Sequence, residues 1–176
     1  VKNLSKYFAV TRGAILTHKI GDIKAVDRIS FDIYGGETLG LVGESGCGKT
    51  TTGRVILRLI EPSAGQILYN QQDITHLDRQ AMTLLRREMQ IIFQDPYASL
   101  NPRLTVGEAI AEPLVAHGLA SRAEAKERVL ALLRVVGLAP FHYNRYPHEF
   151  SGGQRQRVGI ARSLVMHPKF VVADEP

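Results

Sequence analysis

At 176 residues the chain is long enough for about one domain, with room for an inserted lobe. Its 44% hydrophobic and 22% charged composition excludes intrinsic disorder, and its formal charge of +5 suits a phosphate-bearing partner while being common among proteins without one. The single cysteine, Cys47, excludes an internal disulfide framework and fits a reducing compartment, and no apolar run approaches the roughly 18–20 residues that would cross a bilayer.

The chain opens at Val1 instead of Met, so any targeting segment is expected to have been removed or to lie outside it. Val26, Ile29, Phe31 and Ile33 make a rough strand pattern that Gly35-Gly36 breaks. Thr38-Leu39-Gly40-Leu41-Val42 then predicts a short strand buried on both faces. A glycine-rich loop follows, and a helix is expected from Lys49 to about Ile60, where Pro62 and Gly65 stop it. Gln66 to Tyr69 predicts a strand turned by Asn70, Asp78 caps a helix through Leu84-Leu85-Arg86-Arg87, and Gln90 to Phe93 predicts a buried strand.

From Asp95 the texture changes. Pro96, Pro102 and Pro113 are expected to break up the stretch, and helices take over. Ser121 with Glu124 forms a capping box ahead of Ala125, Val129, Leu132, Leu133 and Val136, which recur on one helical face, and Gly137 stands where a left-handed cap is wanted. Phe170-Val171-Val172-Ala173 predicts a parallel strand ending at Asp174-Glu175. The order of strands, helices and a final strand suggests a helical lobe inserted into an α/β domain.

Chemistry concentrates in three places. Gly43-Glu44-Ser45-Gly46-Cys47-Gly48-Lys49-Thr50 is a full phosphate-loop pattern, whose chance occurrence in a chain this long is on the order of one per cent. Its glycines let successive N–H groups turn toward an anion, and the helix that follows adds its positive dipole end. Lys49 would bridge the β- and γ-phosphates and Thr50 would ligate Mg²⁺, with Thr51 next along the helix. Cys47, with no base patterned for it, is taken as a small loop residue open to alkylation. Second, Ser151 and Gln154 bracket Gly152-Gly153 in another capping box, so a helix starts there with uncovered N–H groups, an anion site in its own right. Third, Asp174 at a strand end can hold Mg²⁺ and Glu175 can deprotonate a water, although hydrophobic-Asp-Glu runs are also ordinary surface strand ends. His142, His148 and His167 lack metal-ligand spacing and are expected to be surface or structural residues.

Phe150-Ser151-Gly152-Gly153-Gln154 resembles the signature of ATP-binding-cassette (ABC) ATPases, with Phe150 replacing the usual leucine. The resemblance spans essentially the whole chain and implies a RecA-like P-loop α/β core, an antiparallel β portion near the N-terminus and an inserted helical lobe. The corresponding division is a β core over 1–94, a helical subdomain over 95–166 carrying the signature, and a Walker B strand over 167–176. By resemblance Glu175 is the catalytic base, Gln94 is the Q-loop residue sensing the γ-phosphate through Mg²⁺ or water, and Phe8 is the aromatic that stacks on adenine, with Tyr7 an adjacent rival. ATP and Mg²⁺ are the implied ligands. Gln94-Asp95-Pro96-Tyr97-Ala98-Ser99-Leu100-Asn101-Pro102 and Arg145-Tyr146-Pro147-His148-Glu149-Phe150 look like the ATPases of bacterial and archaeal peptide or nickel importers. That implies a second ATPase subunit, membrane permease subunits and, indirectly, a solute-binding protein as partners, at the cytoplasmic face of the membrane and without nucleic acid. A soluble ABC ATPase acting on ribosomes or DNA, and a non-hydrolysing nucleotide-binding module, share these motifs and stay open. The chain ends at Pro176, before the family's D-loop and switch histidine, so it is expected to be an incomplete domain that binds ATP weakly and hydrolyses it poorly.

Overall fold

The computed structural model describes residues 1–12, 18–95 and 100–175. The chain divides into two compact units, Val1–Met82 and Thr83–Pro176, with the division inside a helix.

In the first unit, strand β1 (Lys2–Arg12) pairs antiparallel with β2 (His18–Ile29) on one edge and with β3 (Ala64–Gln66) on the other. The β1–β2 register runs Lys6↔Val26, Tyr7↔Lys24 and Phe8↔Ile23, so Ala25 has no partner and forms a bulge. Helix α1 (Lys49–Ile56) follows the glycine-rich loop, four residues shorter than expected, and the chain leaves it through turns to Ile60. The strand expected at Gln66–Tyr69 is interrupted at Ile67. Beyond it, β4 (Leu68–Tyr69) and β5 (Gln72–Asp73) form a hairpin closed by Asn70 and Gln71 at φ +48° and +66°, the geometry of a type I′ turn. Leu4, Val26, Val55, Leu57, Ile67 and Ile74 are buried here. The buried Arg58 guanidinium donates to the carbonyls of Ile74 and Thr75 and pairs with Glu61 at 2.9 Å, fastening the end of α1 to the segment after β5. Asp78 caps α2 (Arg79–Leu85) by accepting from the Ala81 N–H at 2.8 Å.

One element does not form. Residues Thr38 to Val42 are neither strand nor helix, and Leu39, Leu41 and Val42 are exposed, Val42 at 93%. A strand buried on both faces needs a ladder neighbour to satisfy its backbone, and none of the described strands pairs with this run.

The second unit holds a two-stranded parallel sheet, β6 (Met89–Ile92) beside β7 (Phe170–Ala173) in register Met89↔Phe170 to Ile92↔Ala173, and the helices that cross between them. Helices α3 (Val106–Ala116), α4 (Arg122–Val135) and α5 (Gly152–Leu164) surround Ile110, Leu114, Val129, Leu133, Phe150 and Val158. Each starts at a capping box: Thr105 with Glu108, Ser121 with Glu124, Ser151 with Gln154. Gly137, at φ +72°, ends α4 in a Schellman arrangement, with the Leu138 N–H on the Leu133 carbonyl at 2.8 Å.

Pro113 does not break the chain, contrary to the expectation; it lies inside α3. A mid-helix proline costs about 3 kcal/mol. The capping box and the buried Val106, Ile110 and Leu114, each worth about 1.5–3 kcal/mol of apolar burial, outweigh it. Pro96 lies outside the described residues, as do Tyr97, Ala98, Ser99 and Pro176. The Ser163 hydroxyl, 2.8 Å from the Ile91 carbonyl, anchors α5 on β6. No helix among the described residues is long and apolar enough to cross a membrane.

Candidate functional site

The glycine-rich loop of the first unit is open along Gly43 to Cys47, all five of which are exposed. Gly46 and Gly48 take φ +80° and +99°, and Gly48 is the N-cap of α1. A Cβ at Gly48 would run into the Ala25 carbonyl, so the loop meets β2 at the bulge. The Thr52 hydroxyl donates to the Gly48 carbonyl at 2.9 Å, and the Cys47 N–H reaches Glu44 at 3.3 Å. Lys49 folds back over the loop, its ammonium donating to the carbonyls of Gly43 at 2.8 Å and Glu44 at 2.9 Å. That places one cation, a helix N-terminus and a glycine-hinged backbone together, which is the chemistry of an anion cradle. Thr50 and Thr51 follow on the first turn of α1, both half-buried, while Ser45 is at the exposed tip. Cys47 is exposed, and its side chain stands near Gly43, where an added Cβ would lie 2.6 Å from the sulfur.

Tyr7 and Phe8 are neighbours on β1 and have different surroundings. The Tyr7 hydroxyl donates to Asp27 at 2.5 Å, and Lys24 sits over the Tyr7 ring while pairing with Asp27 at 3.3 Å. That hydroxyl, and then Lys24, hold the Asp27 carboxyl below its usual range. Phe8 is 40% exposed, with the Lys6 ammonium 5.0 Å from its ring centroid.

In the second unit the carboxyl ends of two adjacent parallel strands carry the acidic pair and the glutamine. Asp174 continues the β7 ladder, its N–H donating to Ile92 at 3.0 Å, and it is 8% exposed. Glu175 follows at φ +48°. Gln94, two residues beyond β6, donates through Nε2 to Glu175 Oε2 at 2.5 Å, joining residues 81 apart in sequence. Carboxyl ends of parallel strands are where ligands collect in open α/β sheets.

At the other exposed feature of this unit, Ser151 accepts from the Gln154 N–H at 3.3 Å, and the Gln154 side chain accepts from the Ser151 N–H at 3.0 Å. Ser151, Gly152 and Gly153 are exposed, and a Cβ added at either glycine would meet nothing within 4 Å. Phe150 is 3% exposed within the helical core, an apolar position where a phenyl ring serves as well as an aliphatic side chain. Just past it the buried Arg155 donates to the Pro147 carbonyl at 2.7 Å, fixing the start of α5.

Two of the histidines have partners within the fold. His142 accepts from the Ala139 N–H at 2.9 Å and its ring lies against Phe141 and Phe150, and His148 stacks on Tyr146. Among the described residues no group of three His, Cys, Asp or Glu is placed to hold a metal ion.

Sequence reasoning missed two features of the site. The Ala25 bulge that receives Gly48 carries no compositional mark. The Gln94–Glu175 contact depends on β6 and β7 being neighbours, which no local pattern encodes; the only signal was that each apolar run ends in a polar residue.

Comparison with known proteins gives the family. The family model described as ABC transporter matches residues 26–176. The oligopeptide transport ATP-binding protein OppF of Bacillus subtilis is 55% identical over all of this chain and 56% of its own length. The glutathione import ATP-binding protein GsiA of Pectobacterium atrosepticum is 55% identical over 99% of this chain and 28% of its own. The oligopeptide transport ATP-binding protein AppF of Bacillus subtilis is 50% identical over all of this chain and 54% of its own. The chain therefore spans about half the length of OppF and AppF and under a third of GsiA. Among solved structures, the dimeric post-hydrolysis state of the ATP-binding cassette MJ0796 bound to ADP and Pi superposes with a TM-score of 0.86 at 31% identity, over 98% of this chain and 71% of that one. The fold is that of an ABC ATPase cassette, and the chain belongs to the ABC transporter family.

Proposed function

We propose that this chain is the nucleotide-binding part of an ATPase that energises import of peptides, or of a related small solute, through a separate membrane permease. The observation that carries the hydrolytic part is the Gln94–Glu175 contact at the ends of β6 and β7. A phosphate loop alone would serve any nucleotide binder, whereas a carboxylate held beside an amide at a strand end is equipped to take a proton from water.

Phosphates of ATP would lie on the Gly43–Thr50 loop, with Lys49 exchanging its two loop carbonyls for phosphate oxygens. Glu175 would orient and deprotonate the attacking water; the water oxygen bonds to the γ-phosphorus, the bond to the β-bridging oxygen breaks, and ADP and phosphate leave. Thr50, Asp174 and Gln94 each offer an oxygen donor and would be the residues that hold a cation, Gln94 through its carbonyl oxygen, since its amide nitrogen is given to Glu175. These hard donors fit Mg²⁺, which when bound would neutralise charge on the β- and γ-phosphates.

Two copies, or one copy and a second ATPase subunit, would pair head to tail, the phosphate loop of one facing the Ser151-Gly152-Gly153-Gln154 helix start of the other. Support comes from the exposure of both anion-binding features and from the dimeric state of the MJ0796 cassette. The importer assignment, with permease and solute-binding partners and a peripheral place at the cytoplasmic face, rests on the names of OppF, AppF and GsiA. On this reading the chain's division is a β core over 1–94, a helical subdomain over 95–166 and a final strand over 167–176.

The test uses the full-length protein with its permease. Lys49→Ala should abolish nucleotide binding, and Glu175→Gln should bind ATP normally, lose at least about 100-fold in turnover and accumulate as a closed pair. Wild-type turnover by Glu175→Gln would remove the assigned base. Uptake of labelled oligopeptides that is lost in both variants would support the importer reading, and uptake indifferent to both would end it.

A further inference from the structure

Lys6 has no part in the phosphate loop, the signature helix or the carboxylate pair, yet its ammonium lies 5.0 Å from the centroid of the Phe8 ring. Residues i and i+2 of a strand share a face, so Lys6 and Phe8 stand side by side on β1, while Tyr7, on the other face, is committed to Asp27 and Lys24. The ladder also locates them. Lys6 pairs with Val26 and Tyr7 with Lys24, and the unpaired Ala25 between is the residue whose carbonyl abuts Gly48. Lys6 and Phe8 therefore flank the level at which the phosphate loop meets the sheet, in the same compact unit.

We infer that Lys6 is a base-positioning residue: it covers one face of the Phe8 ring and leaves the other as the stacking surface for the purine of the bound nucleotide. This rests on Phe8 being the base platform of the proposed ATP site. A cation over one face draws π density toward itself, so the opposite face becomes a better partner for an electron-rich base. It also restrains a ring that is otherwise 40% exposed, which lowers the ordering cost of binding.

The test is equilibrium binding of ATP and of inorganic tripolyphosphate, both without divalent cation, to the full-length protein and its variants. Lys6→Met keeps the length of the side chain and removes its charge. It should weaken ATP about threefold and leave tripolyphosphate unchanged, and Lys6→Arg should restore ATP affinity. Equal weakening of both ligands would overturn the inference by making Lys6 a phosphate contact. ATP affinity unchanged in Lys6→Met but reduced in Phe8→Ala would overturn it while sparing Phe8. ATP affinity unchanged in Phe8→Ala would remove the base platform itself, and the role of Lys6 with it.

Discussion

Gly46 and Gly48 share one loop and one region of backbone space, at φ +80° and +99°, and differ in what surrounds them. An alanine at either pays the left-handed cost, about 1–2 kcal/mol. At Gly46 a Cβ meets nothing within 4 Å, so that cost is the whole effect. At Gly48 the Cβ collides with the backbone carbonyl of Ala25, which cannot move without displacing the bulge and the register that carries Lys6 and Phe8. Gly46→Ala should thus lower the thermal midpoint by a few degrees, whereas Gly48→Ala should lower it several times as far. Calorimetry of the two variants checks this, and equal shifts would mean that the contact with Ala25 is not tight. The phosphate-loop glycines are legible from sequence as a pattern; which of them is sterically irreplaceable depends on the bulge at Ala25, which carries no compositional mark.

The helices of the second unit begin with three capping boxes that differ in charge. Glu108 and Glu124 accept from the backbone N–H groups of Thr105 and Ser121, and those bonds hold both carboxyls below their usual range. Gln154 does the same at Ser151 with a neutral amide. A carboxyl whose proton affinity falls on folding stabilises the fold above its unfolded value of about 4.5. That contribution is lost as pH drops through the lower folded value. Circular dichroism should therefore show the helical signal weakening on acidification, and the double variant Glu108→Gln, Glu124→Gln should flatten the dependence; an unchanged pH profile would refute it. Caps and amphipathic faces were readable because their interactions span three or four residues, as in Ser121 with Glu124. The run from Thr38 to Val42 departs from its expected strand for the opposite reason: a short apolar run describes a doubly buried strand, but only a ladder partner makes one, and partners are not local.

At the scale of the whole second unit, the candidate residues are features that the sequence spells out separately and whose assembly it leaves unstated. Gln94 is singled out by the family resemblance and Glu175 by its place after an apolar run as well, and their 2.5 Å bond requires the parallel pairing of segments 81 residues apart. The signature helix makes the complementary case, since its chemistry is local and its purpose is not. Ser151 caps it, Gly152 and Gly153 leave its first N–H groups uncovered, and among the described residues no other element comes within 4 Å of where their Cβ atoms would be. If that surface awaits the γ-phosphate on another subunit, a negative charge there should spoil pairing without harming the fold. Gly153→Asp provides one. An aspartate in the first turn of a helix is favourable by about 0.3–1 kcal/mol, so the variant should unfold no earlier than the wild type. It should bind ATP on its own phosphate loop as before, yet fail to form the ATP-dependent pair in gel filtration with a non-hydrolysable analogue, because the carboxylate repels the phosphate that pairing must bring in. Pairing that survives Gly153→Asp would take the signature helix out of the nucleotide site.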